Sequence, residues 1–143
     1  MRNGVFIDSN VIVRHLSGDF KAKKIIDMVE SGEIKGLINQ IVVSEVLFVY
    51  IRLKTGKPSR YLKNNPDMLM KLNLDPVFEV LSIFTELPSS NEVSMLFHEM
   101  LKKYGLLPND ALIAATCKHY GIKKIATFDE DFEKVDFLEI IRS

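Results

Sequence analysis

The stretch Gly4-Val5-Phe6-Ile7-Asp8-Ser9-Asn10-Val11-Ile12-Val13-Arg14-His15-Leu16 decides how this chain folds. Residues 5–8 are β-branched and aromatic, bounded by Gly4, and read as a short buried strand. Residues 9–16 read as a short helix that stops at Ser17-Gly18. Asp8 stands between them, at the carboxyl end of the strand and beside an apolar run. An unpaired carboxylate is costly there, and it either protonates or finds a partner.

Outward from this unit, strands and helices alternate. A second helix is expected over 19–31, with Asp19 as N-cap, Gly32 as stop and Ala22, Ile25, Ile26 and Val29 on one face. Residues 33–38 read as the second strand. Residues 41–53 are hydrophobic almost all round, which predicts a central helix packed on several sides. Thr55-Gly56-Lys57-Pro58 breaks it, and Asn65-Pro66 and Asp75-Pro76 each resemble an N-cap followed by proline at the first helical position. An edge strand over 84–87 ends at Pro88. Ser89-Ser90-Asn91-Glu92 matches a capping box and opens a helix to Tyr104, which Gly105 stops. Pro108-Asn109-Asp110 opens another helix, ended by Gly121, and strands follow over 123–127 and 136–141. Strands separated by helices favour a mostly parallel sheet with helices on its faces, an α/β fold.

At 143 residues the chain reads as a single domain, 1–143, long enough to bury a good core. Lys+Arg and Asp+Glu are 19 each, and zero net charge argues against a broad electrostatic grip on nucleic acid but leaves room for a local patch. One cysteine, Cys117, forms no internal disulfide and reads as a small core thiol of a cytoplasmic protein. The chain opens almost directly into a strand, so no signal peptide is expected, and no apolar run approaches the roughly 18 residues that span a membrane.

Four acids carry the chemistry. Asp8 ends the first strand, Glu45 interrupts an apolar helix, Asp110 opens Ala111-Leu112-Ile113-Ala114-Ala115, and Asp129 follows Ile125-Ala126-Thr127-Phe128. Singly, three have ordinary readings: Asp8 as a helix cap, Asp110 as a first-turn acid favoured by the dipole, Asp129 as a turn residue. Glu45 resists, since Ile41, Val42, Phe48 and Val49 surround it and no basic residue lies within one turn. Ligands of a parallel sheet bind at the carboxyl ends of its strands, so Asp8, Asp110 and Asp129 are expected to share one rim. Acids gathered there call for a hard divalent cation with oxygen ligands.

Other chemistries fit less well. Asp129, Asp131 and Glu133 have the spacing of an EF-hand opening, but Lys134 and Ile140 stand where glycine and glutamate are required. There is no phosphate-binding glycine loop and no nucleophile elbow. His15, His98 and His119 lack metal-ligand spacing and read as helix-surface residues. Arg52, Lys54, Lys57, Arg60 and Lys63 form an acid-free basic stretch with Tyr50 and Tyr61 nearby; it reads first as a solvated face, and second as a contact for a phosphate backbone.

Together these segments resemble the PIN domain, most closely the VapC-type toxins of toxin–antitoxin pairs. Ile7-Asp8-Ser9-Asn10 is similar to the first acidic motif of that family, and Val43-Ser44-Glu45-Val46-Leu47 to its helical glutamate motif. Pro108-Asn109-Asp110-Ala111-Leu112-Ile113-Ala114-Ala115 is the most specific match, and Ala126-Thr127-Phe128-Asp129-Glu130-Asp131-Phe132 resembles the closing segment. The resemblance implies a three-layer α/β/α sandwich and a Mg²⁺- or Mn²⁺-dependent endoribonuclease. It implies that Asp8, Glu45, Asp110 and Asp129 hold the metal and that Asn10 and Thr127 orient carboxylates or water. Asp129 is the preferred fourth acid, with Asp131 as an accessory. A homodimer and a small inhibitory antitoxin are implied as partners. The alternatives are a catalytically inactive PIN-like module that binds RNA or protein, and a receiver-type phosphoacceptor. The latter wants an acid pair after the first strand, where this chain has Asp8-Ser9-Asn10.

Overall fold

The strand expected over 5–8 forms as β1 (Gly4–Ile7), buried at every position after Gly4. The structure, a computed structural model, describes residues 3–142. β1 pairs on one side with β2 (Lys35–Ile38) and on the other with β4 (Lys124–Ala126). β3 (Thr85–Glu86) and β5 (Glu139–Ile141) form the edges, giving the order β3-β2-β1-β4-β5 with every neighbouring pair parallel. The path steps outward from β1 to β3 and then returns to the far side of β1. Right-handed crossovers therefore put the helices before β3 on one face and those after it on the other, a three-layer α/β/α arrangement. The reversal beside β1 opens a crevice at the carboxyl ends of β1 and β4.

Helices α1 (Ser9–Leu16) and α2 (Phe20–Glu30) follow β1. Asp19 caps α2 by accepting from the N–H groups of Lys21 and Ala22, and Ala22, Ile25, Ile26 and Val29 are its buried face. Across the sheet's other face lie α7 (Asn91–Tyr104) and α8 (Pro108–Tyr120). Gly105 and Gly121 end them in the left-handed region, at φ of 63° and 69°, where a side chain is strained. The core joins Phe6, Ile7, Ile12, Ile25, Ile26, Leu37, Ile113 and Ile125, all fully buried and each stabilising by about 1.5–3 kcal/mol. Gly36 marks the closest approach of β2 to its surroundings: a Cβ there would stand 2.6 Å from a Phe84 ring carbon and 3.0 Å from Val29 Cγ1. Cys117 is fully buried, and burial pushes its thiol upward. No helix among the described residues is long and apolar enough to cross a membrane.

Several expectations need correction. The central helix, α3 (Gln40–Thr55), buries only one stripe, Val42, Val46 and Tyr50. Phe48 and Leu53 are each 63% exposed, so it is not packed all round, although α1 and α8 both pack against it. Its outer face borders an apolar groove of about 710 Å³, shared with α4 (Ser59–Asn64) and α5 (Pro66–Lys71). Composition alone cannot distinguish a buried helix face from one that lines a groove. In α6 (Asp75–Leu81) the N-cap is Leu74 and Asp75 is already helical, while Asn65 makes no side-chain cap. Ser90, not Ser89, caps α7 by accepting from the Val93 N–H, which displaces Glu92 from the capping-box position. The strands expected over 33–38, 84–87, 123–127 and 136–141 are all shorter than that. His98 and His119 are exposed, but His15 is partly buried and its Nδ1 has no partner among the described residues.

Candidate active site

The crevice beside β1 receives its first carboxylate from the strand end. Asp8 continues β1, its N–H donating to the Ala126 carbonyl of β4 (3.0 Å), and it is only 5% exposed. It is also the N-cap of α1, accepting from the Ser9 N–H at 2.8 Å. The ordinary reading and the functional one thus fall on the same residue. Its other oxygen accepts from the Thr127 hydroxyl (2.8 Å) and from Asn10 Nδ2 (3.3 Å). Burial pushes the Asp8 pKa up to about 6; the Thr127 and Ser9 hydrogen bonds oppose the rise, and the charges of Glu45 and Asp129 add to it.

Thr127 and Asn10 hold the two strand ends together. Fully buried, the Thr127 hydroxyl donates to Asp8 and accepts from the Asp129 N–H (2.9 Å). Asn10 donates to Thr127 Oγ1 (3.3 Å) and accepts from the Phe128 N–H (3.2 Å). Asp129 then caps a short 3-10 helix, Glu130–Lys134, its Oδ1 accepting from the Asp131 N–H at 2.9 Å.

Asp110 arrives from the opposite face, in the first turn of α8. Among the described residues its carboxylate accepts no hydrogen bond, yet it is half-buried. Burial first, and then the charges of Asp8, Asp129, Asp131 and Glu45, push its pKa up to about 7. One oxygen from each of Asp110, Asp129 and Asp131 lies within 4.8 Å of the others. Asp8 and Glu45 stand outside that trio but act on Asp110 through their charge. Glu45 is half-buried on α3 and accepts from Asn109 Nδ2 at 3.3 Å. No lysine or arginine among the described residues forms an ion pair with any of the five acids. Only oxygen donors converge here, uncompensated and mutually repelling, which is the environment a hard divalent cation relieves.

Residues 5–138 match the PIN domain family. The chain belongs to it. This PIN domain is 54% identical over 139 residues to "Ribonuclease VapC2" of Methanocaldococcus jannaschii, across 97% of the chain and 93% of that protein. It is 41% identical to "Ribonuclease VapC6" of the same organism, across 98% and 97% of the two lengths. These relatives make it a PIN domain of the VapC type. Its fold also matches a toxin–antitoxin complex from Klebsiella pneumoniae with a TM-score of 0.66 at 19% identity, over 96% of this chain and 95% of that one. Nucleases of the PIN family use divalent metal ions.

Within the PIN domain, Asp8, Asp110 and Asp129 do share one rim, and Asn10 and Thr127 contact the acids directly. Asn109, which reaches Glu45, carries no signal in the sequence beyond its place beside Asp110 in the most specific segment. Arg52 and Lys57 border the apolar groove, and Lys54 and Lys57 pack over the rings of Tyr50 and Tyr61. Arg60 is exposed on α4.

Proposed function

We propose that this chain works as one PIN domain that hydrolyses RNA phosphodiesters as a divalent-metal-dependent endoribonuclease, the toxin of a toxin–antitoxin pair. The observation that carries this reading is the convergence of Asp110, Asp129 and Asp131 within 4.8 Å, beside Asp8 and Glu45, without a paired cation. Asp8, Glu45, Asp110 and Asp129 would hold the metal, with Asp131 as an accessory; Mg²⁺ is the first choice and Mn²⁺ the second. Held by these carboxylates, a divalent ion would supply an activated water and stabilisation of the charge that develops on the phosphate. Thr127 and Asn10 keep the Asp8 carboxylate aimed, the Thr127 and Ser9 hydrogen bonds favour its ionised form, and Asn109 orients Glu45. The Asp129 backbone N–H donates to Thr127 Oγ1, which ties it to the end of β4.

RNA as substrate is supported by the ribonuclease relatives, and a small antitoxin by the toxin–antitoxin neighbour. A homodimer, a cytoplasmic location and RNA contacts along Arg52, Lys54, Lys57 and Arg60 belong to the same proposal. The intact acid set weighs against an inactive binding module. Incubating the purified protein with total RNA in Mg²⁺ or Mn²⁺, and again in excess EDTA, tests the reading. New ends that form only with metal are expected; cleavage that survives EDTA would sink it.

A further inference from the structure

We propose that Arg14 is a preformed clamp for a backbone phosphate flanking the scissile one, an inference that rests on the ribonuclease reading. A cluster of carboxylates repels the polyanion it must admit, so a cation outside the cluster has to hold the strand. Arg14 lies one turn after Asn10 on α1, on the same helix face, and Asn10 is bonded to Asp8, Thr127 and Phe128. Its guanidinium carbon stands 4.3 Å from the centre of the Phe128 ring, and Phe128 immediately precedes Asp129. No other cation–ring contact among the described residues involves the loop after β4.

The guanidinium is restrained and its donors are unused. Asp19 forms an exposed ion pair with one nitrogen at 3.9 Å, too far for a hydrogen bond, and the Arg14 side chain is 50% exposed. Its side chain donates no hydrogen bond among the described residues, so its donor fork stays free at the rim. A guanidinium held over an aromatic face still has its N–H groups available for bidentate phosphate recognition. A lysine would keep the charge and lose both the stacking and the fork. Arg14 also sits in the last turn of α1, where a cation favours the helix dipole. That role is structural only and makes a different prediction.

The test uses a random-sequence single-stranded RNA carrying a fluorophore and quencher, cleaved by the full chain in Mg²⁺ over a series of NaCl concentrations. Arg14→Ala is expected to raise KM about tenfold with kcat nearly unchanged, as for loss of a charge-assisted hydrogen bond. The dependence of log KM on log salt should lose about 0.7 in slope, one phosphate contact on a single strand. Arg14→Lys should keep the slope and recover only part of the KM. Phe128→Leu should raise KM by a smaller factor without changing the slope. A thermal melt of each variant separates these effects from misfolding. An unchanged KM and slope in Arg14→Ala, with cleavage by the parent intact, overturns the clamp alone. A fall in kcat and melting temperature without a change in slope does the same, leaving Arg14 a structural brace. If the parent cleaves no RNA in Mg²⁺ or Mn²⁺, the ribonuclease reading falls and the clamp falls with it.

Discussion

Two acidic regions face each other across the crevice, and the more deeply buried one is the less perturbed. At the end of β1, Asp8 is 5% exposed but receives donors from Ser9, Thr127 and Asn10, and its pKa rises only to about 6. At the start of α8, Asp110 is half-buried, accepts no hydrogen bond among the described residues and faces four other acids, and its pKa reaches about 7. Burial raises both; donors offset it at Asp8, and like charges compound it at Asp110. The first region is a satisfied anchor built into the sheet. The second is an unmet demand for positive charge.

The contrast is broken most severely by removing the demand. Asp110→Asn should reduce RNA cleavage by at least about a hundredfold, because loss of a ligand exceeds the cost of losing its supporting partners. The same variant should melt at a higher temperature than the parent in EDTA at pH 8, since one repelling charge has gone. Equal melting temperatures would mean that the five acids do not share a field.

Weakening the anchor is the next largest effect. Thr127→Val removes the short bond to Asp8 and the acceptor for the Asp129 N–H. It should cost about 1–3 kcal/mol of stability, read by urea unfolding, and about 10–100-fold in cleavage. Full activity in this variant would show that the Ser9 N–H and Asn10 suffice to aim Asp8.

Titration sharpens the comparison without mutation. Both acids have folded pKa values above the ordinary carboxylate range, so the folded state binds more protons than the unfolded chain between about pH 4 and 7. Their contribution to stability is present in full below pH 4 and is lost as pH rises through 6 and 7. In EDTA, the melting temperature of the parent should therefore fall by a few degrees more than that of Asp110→Asn over this window. Mg²⁺ at pH 8 should restore it in the parent and much less in the variant. The smallest effect belongs to Asn109→Ala, which frees Glu45 but removes no carboxylate; kcat should drop only several-fold, with stability nearly unchanged.

Much of this architecture is legible in local sequence. Gly4 before Val5-Phe6-Ile7, and Asp19 before the Ala22, Ile25, Ile26 and Val29 stripe, mark a strand and a helix because their signals are short-range. Where two local signals compete, only the fold chooses: Ser90 takes the cap of α7 in place of Ser89, and Leu74 that of α6 in place of Asp75. The outer face of α3 is misread for a related reason, since Phe48 and Leu53 are apolar whether they meet a core or a groove. Glu45 stands out in sequence because nothing nearby neutralises it, whereas its partner Asn109 lies 64 positions away.

The sequence by itself determines the alternation of strands and helices, the family, and which acids are out of place. These properties rest on periodicity, turn chemistry and side-chain type, all carried within a few residues. Only the tertiary structure decides that Asp131 joins Asp110 and Asp129 within 4.8 Å, that Thr127 and Asn10 bind Asp8, and that Arg14 stacks on Phe128. The Thr127–Asp8 and Arg14–Phe128 contacts depend on the parallel pairing of β1 with β4, which brings together segments more than a hundred residues apart. Electrostatic demand is a property of that assembled crevice, because each carboxylate's proton affinity is set by neighbours the chain supplies from elsewhere.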